Sequence, residues 1–117
     1  MKSKALTKIT VKKFISTRRR SSKKGDNGKA LIVGGSYMYH GAPVLSSLAA
    51  LRTGTDLVYT AVPKNNVQPT RAISPDLIVI PLADSKLTRG SVNKLLGQIP
   101  KDLDSATIGP PSNSAVA

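Results

Sequence analysis

The chain has 117 residues, 39% of them hydrophobic and 3% aromatic, which suits one domain with one core rather than two. It contains no cysteine, which excludes a disulfide framework, a thiolate metal site and a cysteine nucleophile; its single histidine, His40, excludes a histidine cluster. No apolar run approaches the ~20 residues that cross a bilayer and no hydrophobic block follows the first lysines, so a cytoplasmic protein without a membrane partner is expected.

The formal net charge of +12 is unevenly spread. Up to Lys29, eleven Lys or Arg face the single acid Asp26, a balance of +10; beyond it, seven face five Asp, a balance of +2. Residues 1–24 are therefore read as a basic N-terminal segment. Its "KKFISTRRRSSKK" stretch could sit on phosphates or an anionic surface through counterion release. Like charges in a row also repel and bury little, which predicts a solvated arm. Nothing in the arm resembles a zinc finger, an RNA-recognition strand or a stacking platform, so nucleic acid is not expected as a partner, and a nucleic-acid-binding module is kept only as an alternative.

After Lys29 the chain alternates apolar runs with helix-like segments. "ALIVGG" (Ala30 to Gly35) is too uniformly apolar to have a wet face and reads as a buried parallel strand. "GAPVLSSLAALRTG" reads as a helix, with Pro43 just inside its start and Gly54 just past its end. Val44, Leu48 and Leu51 form its expected apolar stripe, with Leu45 and Ala49 beside it, and its Ala and Ser content predicts close packing on a sheet. "LVYTAVP" is a second strand stopping at Pro63, and "LIVIP" (Leu77 to Pro81) a third that stops the same way. "SVNKLLGQIP" reads as a short helix closed by Gly97 or Pro100, and "SATIGPP" as a fourth strand ending at Gly109. Strands joined by such crossovers imply an α/β fold with a parallel sheet and right-handed connections.

In such sheets small molecules bind outside the carboxyl ends of the strands. Here those ends read "GGSYMYHGA", "PKNN", "PLADS" and "GPPS". Glycine lets the backbone turn sharply and approach a ligand, and free amides at the following helix start attract phosphates. Gly35, Ser36 and Gly41 are thus candidate contacts for a nucleotide-like ligand, the alternative being a purely structural strand-to-helix turn. The glycine spacing fits neither the dinucleotide fingerprint nor a Walker A loop.

The text "RRRSSKKGDNGKALIVGGSYMYHGAPVLSSLAALRTGTDLVYTAVP", followed by "ISPDLIVIPL", resembles the ADP- or ATP-dependent NAD(P)H-hydrate dehydratases, which share the ribokinase-like fold. That family has a His-Lys-Gly-x-x-Gly turn, an apolar strand, Gly-Gly-Ser, an aromatic, Gly-Ala, and an Ala- and Leu-rich helix ending in Arg-x-Gly. The resemblance runs from about Arg18 to Gly109. It implies a three-layer parallel sheet and a lyase that repairs hydrated NADH or NADPH, using ADP or ATP with Mg2+ to expel the ring hydroxyl. It also implies contacts to the hydrated cofactor at Ala42 and at Gly109, and a possible homo-oligomer.

Two positions depart from the family pattern. Lys23 stands where histidine is usual, and the Gly-Pro-Gly-Leu-Gly turn reads "GPPSNSAVA", with Pro111 for a glycine. No Gly-x-Gly-Asp segment, which carries the family's anion hole and catalytic aspartate, occurs in the 117 residues. The expectation is that residues 25–117 form the N-terminal portion of a dehydratase domain, a truncated form with an uncovered sheet edge and little activity by itself, so no catalytic or metal-binding residue is assigned. A ribokinase-like small-molecule kinase is the alternative enzyme. Ser36 is expected mainly to cap its turn, His40 to lie exposed, Asn65 and Asn66 to be turn residues, and Arg52 to sit at a helix end.

Overall fold

The computed structural model describes residues 2–85 and 87–109. Four strands, β1 (Lys29–Val33), β2 (Leu57–Pro63), β3 (Ile78–Leu82) and β4 (Ser105–Ile108), form one sheet in the order β3-β2-β1-β4, with every pair parallel. The uniformly apolar "ALIV" stretch lies centrally because β1 is paired on both sides, and Ala30 to Val33 are all buried. Both α/β layering and parallel pairing follow the sequence expectation.

Four helices accompany the sheet: α1 (Lys8–Phe14), α2 (Gly41–Arg52), α3 (Val67–Ile73) and α4 (Arg89–Leu96). The pleat sends alternate strand residues to opposite faces. Leu31, Val33, Ala61, Ile80 and Leu82 cluster with Leu95 of α4 on one face. Ile32, Val58 and Leu77 meet Ala50 and Leu51 of α2 on the other. These two layers around one sheet are what a doubly wound fold requires, since β1 connects outward to β2 while the β3 to β4 connection returns across β1.

Helix α2 starts and ends where its proline and glycine predict, and Gly54 closes it at φ +100. Its buried face is rotated from the expected stripe. Pro43, Val44 and Ser47 are buried, whereas Leu45 is 69% exposed and Ala49 is also exposed. The cause is a polar pair: Ser47 Oγ and Thr60 Oγ1, both fully buried, hydrogen-bond at 2.8 Å and bring the helix down on β2 through a small residue.

Helix α3 is not legible in the sequence, being short and carrying Pro69 in its third position. There proline removes an N–H that has no intrahelical acceptor, so it does not break the helix. Strand β3 continues one residue past Pro81, which is exposed and sits on an edge strand where a missing donor costs one ladder only. Helix α4 begins earlier than expected because Thr88 and Ser91 form a reciprocal capping box, Ser91 N donating to Thr88 Oγ1 and Thr88 N to Ser91 Oγ.

The basic segment holds α1, capped by Thr7 and without a buried residue, so it is a folded turn of helix rather than a featureless arm. Arg18 ties the segment to the domain by an ion pair with Asp56, whose side chain is 4% exposed. The other carboxylate oxygen of Asp56 accepts from Gly25 N at 3.0 Å, Asn27 N at 3.0 Å and Asn27 Nδ2 at 3.1 Å. Gly25 and Gly28 adopt φ +98 and +110, so the Gly-x-x-Gly turn wraps its amides around this carboxylate. Strand β4, the other outer strand, is exposed along its whole length, with Ile108 at 63%.

Candidate functional site

The strand order reverses beside β1: the chain leaves β1 toward β2 and returns to its other side as β4. Outside the carboxyl ends of these two strands lies a cleft of ≈ 300 Å³. Its floor is backbone. Gly34 N donates to Ala61 O at 3.1 Å and Gly109 N to Val33 O at 2.8 Å, which sets the two glycines side by side, a Cβ on Gly109 lying 3.7 Å from Gly34 Cα. Ile32, Val33 and Thr107 line the strand side, Gly35, Ser36 and Tyr39 the loop, and Ala42, Pro43 and Ser46 the first turns of α2.

Four of the five candidates read from the sequence, Gly35, Ser36, Ala42 and Gly109, come together in this lining although they span 75 residues of chain. Gly41 is the first residue of α2 and is not part of the wall. The turn marked by Pro111 lies outside the described residues. Ser36 is 3% exposed and its hydroxyl accepts from Tyr39 N at 3.2 Å while its own N–H donates to Tyr39 O at 2.8 Å. Ser36 therefore closes its turn, as expected. Tyr39 is 70% exposed at the cleft mouth, and His40 stands exposed before α2 without capping it.

The glycines divide into two kinds. Gly35, at φ +90, is required by the backbone, and an added Cβ would lie 3.0 Å from Asn66 Nδ2. Gly34, Gly41 and Gly109 have no positive φ, and an added Cβ would meet nothing closer than 3.5 Å. The fold does not demand glycine at these three positions. Gly34 and Gly109, unlike Gly41, lie in the cleft floor, where a ligand's approach to the backbone would need glycine.

No side chain in the lining is charged. The N–H groups of Gly34, Ser36, Tyr39 and Gly109 are spent on bonds inside the fold, so the cleft offers mainly apolar walls, hydroxyls and the start of a 12-residue helix with no acid in its first turn and no side-chain cap. A helix start of this kind is favourable to an anion through its dipole. Among the described residues no three His, Cys, Asp or Glu converge on a metal-sized space. No described helix is long and apolar enough to cross a membrane.

Sequence reasoning missed Asn66 and Asp56. Asn66 is 3% exposed and donates from Nδ2 to Ser36 O at 2.8 Å; Asn65 Nδ2 reaches Tyr37 O at 3.3 Å. "PKNN" does stand at a strand's carboxyl end, but only the β1–β2 pairing brings it against the glycine loop.

Residues 30–110 match the family model described as NAD(P)H-hydrate dehydratase. The chain belongs to that family. A member named ADP-dependent (S)-NAD(P)H-hydrate dehydratase in Nitrosopumilus maritimus is 69% identical over 109 residues, covering 93% of this chain and 38% of the relative. Among solved structures, a hypothetical protein of Streptococcus mutans superposes with a TM-score of 0.71 at 28% identity, covering 90% of this chain and 35% of that one. A ribokinase-like superfamily protein of Enterococcus faecalis does so at 0.67 and 26%, covering 82% and 31%. This dehydratase-family chain thus has the ribokinase-like layering that the resemblance implied, and spans 31% to 38% of the length of these three relatives.

Proposed function

We propose that this chain is the nicotinamide-nucleotide-binding portion of an enzyme that dehydrates hydrated NADH or NADPH at the expense of ADP, a carbon–oxygen lyase of metabolite repair. One observation carries the reading: glycines that the backbone does not require surround an uncharged cleft at the point where strand order reverses. Family membership supplies the substrate class, and the name of the Nitrosopumilus relative favours ADP over ATP.

The chemistry assigns this portion a binding role. A ring hydroxyl leaves poorly as hydroxide. Once a phosphoryl group from the nucleotide is on that oxygen, the C–O bond breaks with the electron pair going to phosphate, the ring nitrogen's lone pair compensates, and loss of a proton from the neighbouring carbon restores the dihydronicotinamide. In this reading Gly35, Ser36, Ala42 and Gly109, with Gly41 beside them at the start of α2, hold the hydrated cofactor, whose charged groups meet the helix start and hydroxyls rather than charged side chains. No residue of this chain is assigned to phosphoryl transfer or proton removal. No step is routed through Mg2+, for which the described residues hold no cluster of three or more His, Cys, Asp or Glu.

Titrating the protein with NADPH while following backbone amide resonances tests the binding role. Shifts confined to Gly35, Ala42 and Gly109 are expected. Shifts centred on Arg18 to Lys24 with a steep salt dependence would instead favour a basic nucleic-acid-binding arm, and no response at the cleft would defeat the proposal. Incubation with hydrated NADPH and ADP, watching the reduced-nicotinamide absorbance return, tests activity; a stable phosphorylated product would point to a kinase.

A further inference from the structure

The loop that lines the cleft is held from behind by a pair of amides that no capping or packing rule requires. Asn66 closes the single 3₁₀ turn Lys64–Asn66 after β2 and occupies the N-cap of α3. Asparagine at an N-cap ordinarily turns its side chain onto the helix amides. Asn66 makes no such bond. Its buried Nδ2 reaches instead across the sheet to Ser36 O, thirty residues back, and its Oδ1 accepts from Asn65 Nδ2 at 2.9 Å, while Asn65 reaches Tyr37 O. Gly35 is the counterpart of this contact, because a Cβ there would press on Asn66 Nδ2.

The consequence is orientational. In a trans peptide the C=O and the following N–H point in opposite directions, so carbonyls of Ser36 and Tyr37 drawn to the asparagines turn the N–H groups of Tyr37 and Met38 away from them. Neither N–H finds an acceptor among the described residues. Two carbonyl oxygens that would repel an anion are thereby tied back, and the free donors lie on Tyr37 and Met38, exposed residues that join the cleft-lining Ser36 to Tyr39. We infer that Asn66 is a positioning residue: it holds the Gly34–Tyr39 loop in the anion-accepting shape, and the ligand class it serves is the phosphate-bearing part of a nicotinamide dinucleotide. The inference rests on the binding role proposed above and adds a residue that contacts no ligand itself.

The test compares Asn66→Ala with Ser47→Ala. Ser47 also belongs to a buried polar pair, with Thr60, but lies outside the cleft lining. Each variant is titrated with NADPH, and amide hydrogen exchange is measured without ligand at Ser36 and Tyr39, whose N–H groups bond within the loop. Asn66→Ala is expected to speed exchange at both amides by tenfold or more and to weaken NADPH binding by at least tenfold. Ser47→Ala is expected to lower the melting temperature comparably while leaving both loop exchange and affinity within twofold. Unchanged loop exchange in Asn66→Ala overturns the clasp. Faster exchange with unchanged affinity also overturns it, as a structural contact only, and leaves the proposed binding role standing. A wild-type chain that binds no NADPH removes that role, and with it the inferred purpose of the clasp.

Discussion

Replacing Asp56 by alanine tests whether this carboxylate organises the Gly-x-x-Gly turn or merely pairs with the basic segment. Its Oδ2 accepts three hydrogen bonds, two from backbone amides of the turn and one from Asn27 Nδ2, and its side chain is 4% exposed. Arg18, bonded to Oδ1, is 63% exposed, so that ion pair alone contributes about 0–1 kcal/mol. Hydrogen bonds to a charged acceptor contribute about 1.5–3 kcal/mol each, but three sharing one oxygen do not add, and losing such an acceptor costs about 3–5 kcal/mol in all. We expect Asp56→Ala to destabilise by about 3 kcal/mol, Arg18→Ala by less than about 1 kcal/mol, and the double variant to match Asp56→Ala alone. In urea unfolding followed by circular dichroism, with a slope of about 1.5 kcal/mol/M, the Asp56→Ala midpoint falls by about 2 M and that of Arg18→Ala by no more than about 0.7 M. Equal losses from the two single variants would refute the reasoning, since they would make the ion pair, not the turn, the seat of the stability.

Gly35→Ala combines a left-handed φ with a 3.0 Å approach to Asn66 Nδ2 and should cost about 1–3 kcal/mol, measured by thermal melting, whereas Gly109→Ala should melt within about 0.5 kcal/mol of wild type yet bind NADPH more weakly. Val62→Ala, in a fully buried position of β2, should cost about 2 kcal/mol, and Leu45→Ala on the exposed side of α2 less than about 0.5 kcal/mol by the same unfolding assay. The Lys29–Asp102 pair gives a pH signature. Its hydrogen bond holds Asp102 below the ordinary 3.8, so that contribution is present above 3.8 and is lost as pH falls through the lowered value; the same bond holds Lys29 above 10.5, so its contribution is present below 10.5 and is lost as pH rises through the raised value. Melting temperatures of the wild type and of Asp102→Asn should therefore converge at both extremes and differ most between them.

Much of the fold is open to a reader of the sequence because its central elements are locally consistent. "ALIV" has no polar face and forms the doubly paired strand; Pro43 and Gly54 bracket α2; Pro63 ends β2 where the chain must turn. The misses have physical causes. Periodicity assigns Leu45 and Ala49 to the neighbourhood of the buried stripe because it weighs hydrophobicity alone, and a serine satisfied by Thr60 rotates the face toward Ser47. Helices α1 and α3, seven residues each, are too short to display a period. The site is half visible. Gly35, Ser36 and Gly41 can be suspected from chemistry, Ala42 and Gly109 only from resemblance, and Asn66 from neither, because its meaning arises from a contact across strands that no local pattern encodes.

The position of β4 has a thermodynamic corollary. One wall of the cleft, Thr107 of β4 and Gly109 just past its end, belongs to a strand that among the described residues pairs only with β1 and is exposed along its length. A molecule spanning from Gly35 to Gly109 therefore does the work of a buckle: occupancy and closure of that outer ladder draw on a single free energy. At a hundredfold excess over its dissociation constant such a molecule adds about 2.7 kcal/mol to the closed form. Under the proposed binding role, catching the cofactor and fastening that strand are one event.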